Sequence, residues 1–149
     1  MSRRQIPVAT LALATTMACT VDPMIGDWQA VSVTYNGATE SFPVEVMEVE
    51  GDLTFSDYFG YTMVVEDVDA VSFHQHERSV VGDLETSDTT NYYGTAVRRR
   101  RGEWELSFPM RDGLRLACVI DGDTADCAGD YANADPWAAR FERLPMETP

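Results

Sequence analysis

Apolar and polar residues alternate in short runs along most of the chain, and Gly, Asp, Asn and Pro interrupt these runs. A period of two predicts β-strands, and no long stretch has the period of an amphipathic helix. The strands are predicted near 28–36, 43–49, 52–56, 60–66, 69–77, 91–100, 103–108, 113–120, 124–129 and 136–144. One of these is expected to be a loop or part of a fused pair. Residues 79–90 are predicted as the largest polar loop and 130–135 as a smaller one.

Regularly spaced short strands joined by tight turns predict an all-β fold, either a meandering barrel or a sandwich. A single up-and-down antiparallel β-barrel of about eight strands is favoured, because closure removes the exposed sheet edges of a chain rich in Val, Tyr and Phe. Strand parity places one set of large apolar side chains on the inward face, as candidate ligand-lining residues. They are Leu53, Phe55, Tyr61, Met63, Phe73, Trp104, Leu106 and Phe108. A barrel of this size is either filled by such side chains or holds one small apolar ligand.

A basic run, Arg98-Arg99-Arg100-Arg101, leads into a predicted turn at Arg101-Gly102. With that turn, Arg100 faces Glu103 and Arg98 faces Glu105, while Val97 meets Leu106 and Arg99 meets Trp104. Cross-strand ion pairs therefore explain the run better than a phosphate or headgroup site does.

The N-terminus resembles the signal sequence of a bacterial lipoprotein. Arg3 and Arg4 precede an apolar run, residues 6–18, which is too short to span a bilayer as a helix. The resemblance implies that residues 1–18 are a signal peptide, that Cys19 becomes the lipid-bearing N-terminus, and that residues 19–25 form a tether before a domain at 26–149. Thr16 stands where such signals usually carry Leu, so plain secretion stays an alternative. Thr20, rather than Asp, follows the cysteine, which by the same resemblance favours the outer membrane.

Three cysteines are an odd number for an exported chain, and lipidation of Cys19 leaves a pair, Cys118 and Cys127. A two-residue loop at Gly122-Asp123 would place these two opposite each other in a hairpin, as a non-hydrogen-bonded pair in which side chains lie closest. The sequence therefore predicts one local disulfide. A turn centred on Asp121-Gly122 would instead misalign them.

The chain is strongly acidic. Without the signal, nine of the 11 arginines remain against 25 acidic residues, a formal charge of −16, and there is no lysine. Such a surface excludes nucleic acid as a partner, since that binding depends on neutralising phosphates. A basic protein partner fits the charge, and so does solubility alone.

No residue pattern predicts catalysis, a metal or a cofactor. His74 and His76 share a strand face, but no third zinc ligand is evident. The aspartates between 121 and 135 fail the EF-hand pattern, because Asp126 occupies the glycine position. Signatures of hydrolases and nucleotide-binding enzymes are missing, so the chain is predicted not to be an enzyme.

Ile25-Gly26-Asp27-Trp28 resembles the Gly-x-Trp signature of lipocalin-like (calycin-type) barrels, and residues 29–37, 51–55 and 141–144 are similar to the strands of small bacterial lipocalin-like lipoproteins. The resemblance implies a tryptophan that plugs one end of the barrel and an arginine on the last strand that packs across it. Arg143 lies on the apolar face of the last predicted strand, so it is the expected cation–π partner of Trp28. Gly26, Trp28 and Arg143 are therefore the predicted barrel-closing signature. Trp28 is out of phase with Val31 and Val33, so either a bulge shifts the strand or both of its faces are covered.

Two functional hypotheses follow. The first is an exported, lipid-anchored barrel that binds a small hydrophobic ligand at the cell envelope. The second is an acidic protein-binding module, such as an inhibitor of a cationic hydrolase like lysozyme; a structural envelope role makes no distinct prediction.

Overall fold

The structure is a computed structural model that describes residues 21–67 and 69–146, and these residues contain ten β-strands. The strands are β1 Gly26–Tyr35, β2 Ala38–Ser41, β3 Val44–Glu50, β4 Leu53–Asp67, β5 Ala70–Val81, β6 Leu84–Arg100, β7 Glu103–Phe108, β8 Leu114–Asp121, β9 Thr124–Asp130 and β10 Pro136–Arg143. Cys19 and the predicted signal peptide lie outside the described residues. In the described part of the chain, no helix is long and apolar enough to cross a membrane.

Eight of the strands close into a barrel. The sheet order is β2-β1-β10-β9-β8-β7-β6-β5-β4-β3, and β1 also pairs with β4. That last pairing joins the ends of the sheet, so β1 and β4–β10 form the barrel wall while β2 and β3 are additional strands. Chain neighbours pair antiparallel throughout the wall, and the predicted all-β, up-and-down barrel is confirmed.

The additional strands lie where β1 and β4 separate. β1 pairs with β4 only over Gly26–Gln29 and then with β2 over 32–35. The first half of β4 pairs with β3 instead. Likewise β6 pairs with β7 only from Thr95 onward. Residues 44–59 and 77–91 therefore form a four-stranded continuation beyond the barrel rim, called here the sheet extension.

The sheet extension corrects one prediction. Residues 79–90 are not a loop: they are the end of β5 and the start of β6, joined by a two-residue turn at Gly82-Asp83. Thr, Ser and Asp dominate the start of β6, since both faces of this hairpin meet solvent. Their polarity gives no alternating pattern, although the Gly-Asp turn was a readable hairpin signal. The predicted strands at 52–56 and 60–66 are one strand, β4, and Ala38–Ser41 forms a strand that was not predicted.

Two of the three register shifts among the described strands change which side chains share a face with predicted partners. The register of β1 against β10 shifts between Ala30 and Ser32, and this bulge explains how Trp28 and Val33 both face the core. A second bulge lies between Arg98 and Arg100. It shifts the register, so that Val97 lies opposite Glu105, Arg98 opposite Trp104 and Ala96 opposite Leu106, and the three corresponding predicted pairings are wrong. Arg99 forms the ion pair with Glu105, and the predicted Arg100–Glu103 ion pair is present.

The hairpin β8–β9 has the predicted geometry. Gly122 and Asp123 form its loop, with Gly122 at φ +61°, and Asp121 faces Thr124. Cys118 and Cys127 are directly opposite, with a Cα–Cα distance of 4.1 Å, and form a disulfide. Both cysteines are buried, so the predicted bridge lies on the inner face of the barrel wall.

Candidate functional site

The end of the barrel at which β1 begins, called the closed end, is sealed by Trp28. The indole is fully buried, its Nε1 donates a hydrogen bond of 2.9 Å to the Met24 carbonyl, and the Arg143 guanidinium lies 4.2 Å above the ring centroid. The predicted contact between Trp28 and Arg143 is therefore present. Gly26 suits the position beside it, because its φ of +143° is strained for any other residue and an added Cβ would push on Arg143 Nη1, 2.6 Å away.

Residues 21–25, the described part of the predicted tether, pack against this closed end. The Asp22 carboxylate is buried, accepts a 2.9 Å hydrogen bond from Trp104 Nε1 and lies 3.5 Å from the Arg98 guanidinium. Arg143 donates to the carbonyls of Pro23 and Ile25. The N-terminal segment is thus part of the plug, and the chain enters the domain at the closed end.

Five of the candidate lining side chains fill the barrel centre. Met63, Phe73, Trp104, Leu106 and Phe108 are each 0–2% exposed. They pack with one another and with buried residues of β8 and β10 in a single core. A small apolar ligand in the centre would have to displace them.

Leu53 and Phe55 do not line the interior, which corrects the lining set. Both have the inward parity of β4, but they lie beyond the rim on the sheet extension, where Leu53 is 50% exposed. The alternation of side chains predicts which face of a strand a residue occupies, but it does not predict at which residue the strand leaves the barrel. The remaining candidate, Tyr61, lies between the core and the rim.

The opposite end, called the mouth, holds a buried arginine that sequence reasoning missed. Arg111 lies in the turn between β7 and β8, and its side chain enters the barrel, so that the residue is 6% exposed. Its guanidinium carbon lies within 6 Å of the centroids of five aromatic rings. These are Phe73 at 4.3 Å, Tyr61 at 5.0 Å, Trp137 at 5.1 Å, Tyr131 at 5.6 Å and Tyr92 at 5.8 Å.

The charge of Arg111 affects its neighbours. Burial raises the pKa of the Tyr61 phenol above its ordinary value, and the positive charge and hydrogen bond of Arg111 act in the opposite direction. Burial also raises the pKa of Tyr131, again opposed by Arg111. Both phenols are therefore neutral at physiological pH.

A cavity of about 280 Å³ opens at the mouth. Tyr61, Tyr131 and Trp137, three of the rings around Arg111, form part of its wall. The remaining wall residues come from β1, β2 and the segment after β2, and they are Val33, Tyr35, Ala38, Glu40 and Phe42. Aromatic walls with few polar groups are typical of small-molecule sites, although this volume is at the small end of their range.

The sheet extension is acidic. Residues 44–59 and 77–91 contain nine acidic residues and one arginine, Arg78, whose guanidinium is 3.9 Å from Glu45. Across β4, β5 and β6 an apolar row, Phe55, Val81 and Leu84, crosses the face that continues the barrel interior. Val81 and Leu84 are 41% and 68% exposed.

The outer edge of the sheet extension is open along β6. Over Leu84–Tyr93 this strand pairs with β5 on one side, and among the described strands none pairs with its other side. Tyr93 at the end of the open stretch is 71% exposed. An open edge presents unpaired backbone N–H and C=O groups to another chain.

The two histidines face outward and form hydrogen bonds within the sheet. His76 lies between Thr62 Oγ1, 2.8 Å from Nε2, and Thr89 Oγ1, 3.2 Å from Nδ1. The rings of His74 and His76 stack at 6.2 Å. Over residues 21–67 and 69–146, no group of three or more His, Cys, Asp or Glu side chains is arranged to hold a metal ion.

We expect His76 to make folding sensitive to mildly acidic pH. Partial burial, then the neighbouring His74, lower the pKa of His76 below its ordinary value. The unfolded chain therefore binds a proton first as pH falls, and the free energy of unfolding should decrease from about pH 6.5 downward. Urea denaturation between pH 7.5 and 5.5 checks this.

The matched variant is His76→Asn, which removes the titrating group. The decrease in stability over this pH range should be smaller than in the parent. The paired carboxylates of Glu105 and Asp126 have lowered pKa values and act only at lower pH, so they do not interfere. Identical pH dependence in parent and variant would contradict the expectation.

The chain matches no protein-family model, no curated protein and no solved structure. The class is therefore defined by the fold alone: a closed eight-stranded up-and-down β-barrel with two additional strands, one disulfide, and a tryptophan–arginine plug.

Proposed function

We propose that the protein is an exported, lipid-anchored β-barrel that binds a basic protein at the cell envelope through its sheet extension. The observation that carries the proposal is the open edge of β6, Leu84–Tyr93, most of which belongs to the sheet extension with its nine acidic residues and one arginine. A small hydrophobic ligand in the barrel centre is less favoured, because that centre is filled by side chains.

The edge supplies the backbone part of the interface. An extended segment of a partner can add to an open strand, where main-chain hydrogen bonds provide affinity and side-chain contacts provide selectivity. Leu84 and Tyr93, both strongly exposed, stand at the two ends of the open stretch. Aromatic residues such as Tyr93 are frequent energetic centres of interfaces.

The charge of the sheet extension selects the partner. Glu85 and Asp88 lie on the open strand itself, and Arg78, the one cation of the extension, is already paired with Glu45. A segment rich in Lys and Arg would be steered to this surface at low ionic strength. This favours a cationic protein, such as a cationic hydrolase of the lysozyme kind, over a neutral or acidic partner.

A lipid on Cys19 would orient the protein suitably. Asp22 is three positions after Cys19, and three Cα–Cα steps span at most about 11 Å. Asp22 is anchored in the closed end, so the closed end would face the membrane. The mouth and the sheet extension would then point away from it, where a soluble partner can reach them.

The test is the binding of purified lysozyme to the exported protein between about 25 and 300 mM salt. The edge variant is Glu85→Lys/Asp88→Lys. Its matched control, Glu66→Lys/Asp69→Lys, makes the same change of charge on exposed residues at the closed end. We expect affinity to fall with salt and to fall by about tenfold in the edge variant, with a much smaller effect in the control.

Equal losses in the two variants would show that net charge alone attracts the partner and would refute a role for the β6 edge. Binding that is indifferent to salt would refute the electrostatic selection. No binding of lysozyme, or of a Lys-rich extended peptide, would refute the proposed function.

A further inference from the structure

The guanidinium of Arg111 is buried with too few partners. Its Nη1 atom has no hydrogen-bond acceptor, and none of the ion pairs formed by the described residues includes it. Five aromatic rings supply cation–π contacts instead. Cation–π attraction offsets part of the cost of burial, but a buried charge without a counter-ion remains unfavourable.

Backbone hydrogen bonds fix the position of the turn that carries Arg111. The backbone of its turn is held by hydrogen bonds from Arg111 N to the Phe108 carbonyl and from Leu114 N to the Arg111 carbonyl. Asp112 O accepts a hydrogen bond from Ala132 N, which ties the turn to the loop after β9. The turn is thus fixed on two sides, and the side chain is directed into the mouth of the barrel.

A pocket adjoins this uncompensated charge. Tyr61, Tyr131 and Trp137 both surround the guanidinium and line the cavity of about 280 Å³. The cavity therefore offers an apolar, aromatic wall for the body of a ligand, and the guanidinium, which is not itself part of that wall, packs against the same three side chains. Glu40 stands on the wall that β2 provides and is exposed to solvent.

We propose that the mouth binds a small organic monoanion, with its carboxylate on the Arg111 guanidinium and its apolar body against Tyr61, Tyr131 and Trp137. An anion supplies the acceptor that Nη1 lacks, and charge-assisted hydrogen bonds of this kind are the strong ones. An organic cation would first have to displace Arg111 from the rings. Glu40 disfavours a second negative charge on the part of the ligand near the rim, so a monocarboxylate fits better than a dicarboxylate.

The mouth pocket contains none of the residues of the β6 edge, so anion binding at the mouth does not depend on a protein bound at that edge. The probes are phenylacetate, its uncharged analogue phenylacetamide, and the cation phenethylammonium. Binding to the exported protein is followed by ligand-observed NMR and by tryptophan fluorescence, since Trp137 lies in the wall. Phenylacetate should bind at least about tenfold more tightly than the amide, as expected for a hydrogen bond to a charged group.

Two variants and a control locate the site. Arg111→Met keeps the length of the side chain without its charge, and it should abolish the preference for the carboxylate while not lowering thermal stability. Arg115→Met removes an exposed arginine from the neighbouring strand β8 and should leave binding unchanged. Glu40→Gln keeps Arg111 in place and should tighten phenylacetate binding several-fold, because it removes a repulsive charge.

Tighter binding of phenethylammonium than of phenylacetate would overturn the proposal, since it would mean that the rings accept a cation in place of Arg111. Equal binding of acid and amide, or no binding of any probe by the parent protein, would also overturn it. So would a loss of binding in Arg115→Met equal to that in Arg111→Met.

Discussion

Replacing Trp28 with alanine is expected to lower the free energy of unfolding by about 3–5 kcal/mol, as for other buried aromatic residues. The indole is fully buried, it donates to the Met24 carbonyl, and it supports Arg143 at 4.2 Å. Removing it leaves a cavity and takes the ring from beneath a cation at the same time. Urea denaturation followed by circular dichroism measures the loss.

Two comparisons sharpen this expectation. Trp28→Phe retains an aromatic ring and loses the Nε1 hydrogen bond, so its cost should be clearly smaller. Tyr93→Ala removes an aromatic residue that is 71% exposed, and it should change stability by no more than about 0.5 kcal/mol. If Trp28→Ala cost no more than Tyr93→Ala, the indole would not be the plug of the closed end.

Loss of the Cys118–Cys127 disulfide is expected to lower the free energy of unfolding by about 2–3 kcal/mol in the chain-entropy model, because the closed loop is short. The bridge joins directly opposed residues and is buried in the barrel wall. The measurement is denaturant unfolding of a Cys19→Ser chain, with and without a reducing agent. The Cys19→Ser background leaves these two cysteines alone.

The control for reduction is Cys118→Ala/Cys127→Ala in the same background. It should be less stable than the oxidised parent by a similar amount, and the reducing agent should not change it further. A reduced parent as stable as the oxidised one would show that the hairpin β8–β9 needs no covalent support. The Gly122-Asp123 turn and the pairing of β9 with β10 would then hold it alone.

The two ends of the barrel differ in how their buried charges are paired. The closed end combines the entry of the chain, the Trp28–Arg143 stack and the buried Asp22 carboxylate, which Arg98 balances at 3.5 Å. The mouth has Arg111 without a counter-ion, an aromatic cavity, and the sheet extension above it. The buried charge at the closed end has an ion-pair partner, although Asp22 Oδ2 lacks a hydrogen bond, whereas the buried charge at the mouth has neither for Nη1. An anionic ligand could therefore supply a missing counter-ion at the mouth.

The sequence by itself determined those features that depend on residues close together along the chain. Counting outward from Gly122-Asp123 places Cys118 opposite Cys127, because a two-residue turn sets the register of a hairpin. Alternation in β10 puts Arg143 on the inward face, and the resemblance to a Gly-x-Trp barrel supplied its partner Trp28. Short alternating strands with tight turns also sufficed for the closed up-and-down barrel, since closure is the usual answer to exposed edges.

Only the tertiary structure decided where the barrel stops and what fills its mouth. Leu53 and Phe55 have the right parity, but the rim lies between them and Tyr61 because β1 turns away from β4 after Gln29. Arg111, in a polar turn, gives no local sign that five rings from distant strands surround it. The alternation of side chains along a strand predicts which face of the sheet a residue occupies. How deeply the residue is buried, and which distant residues it contacts, depend on where strands end and where bulges occur, and these are set by pairing with other strands.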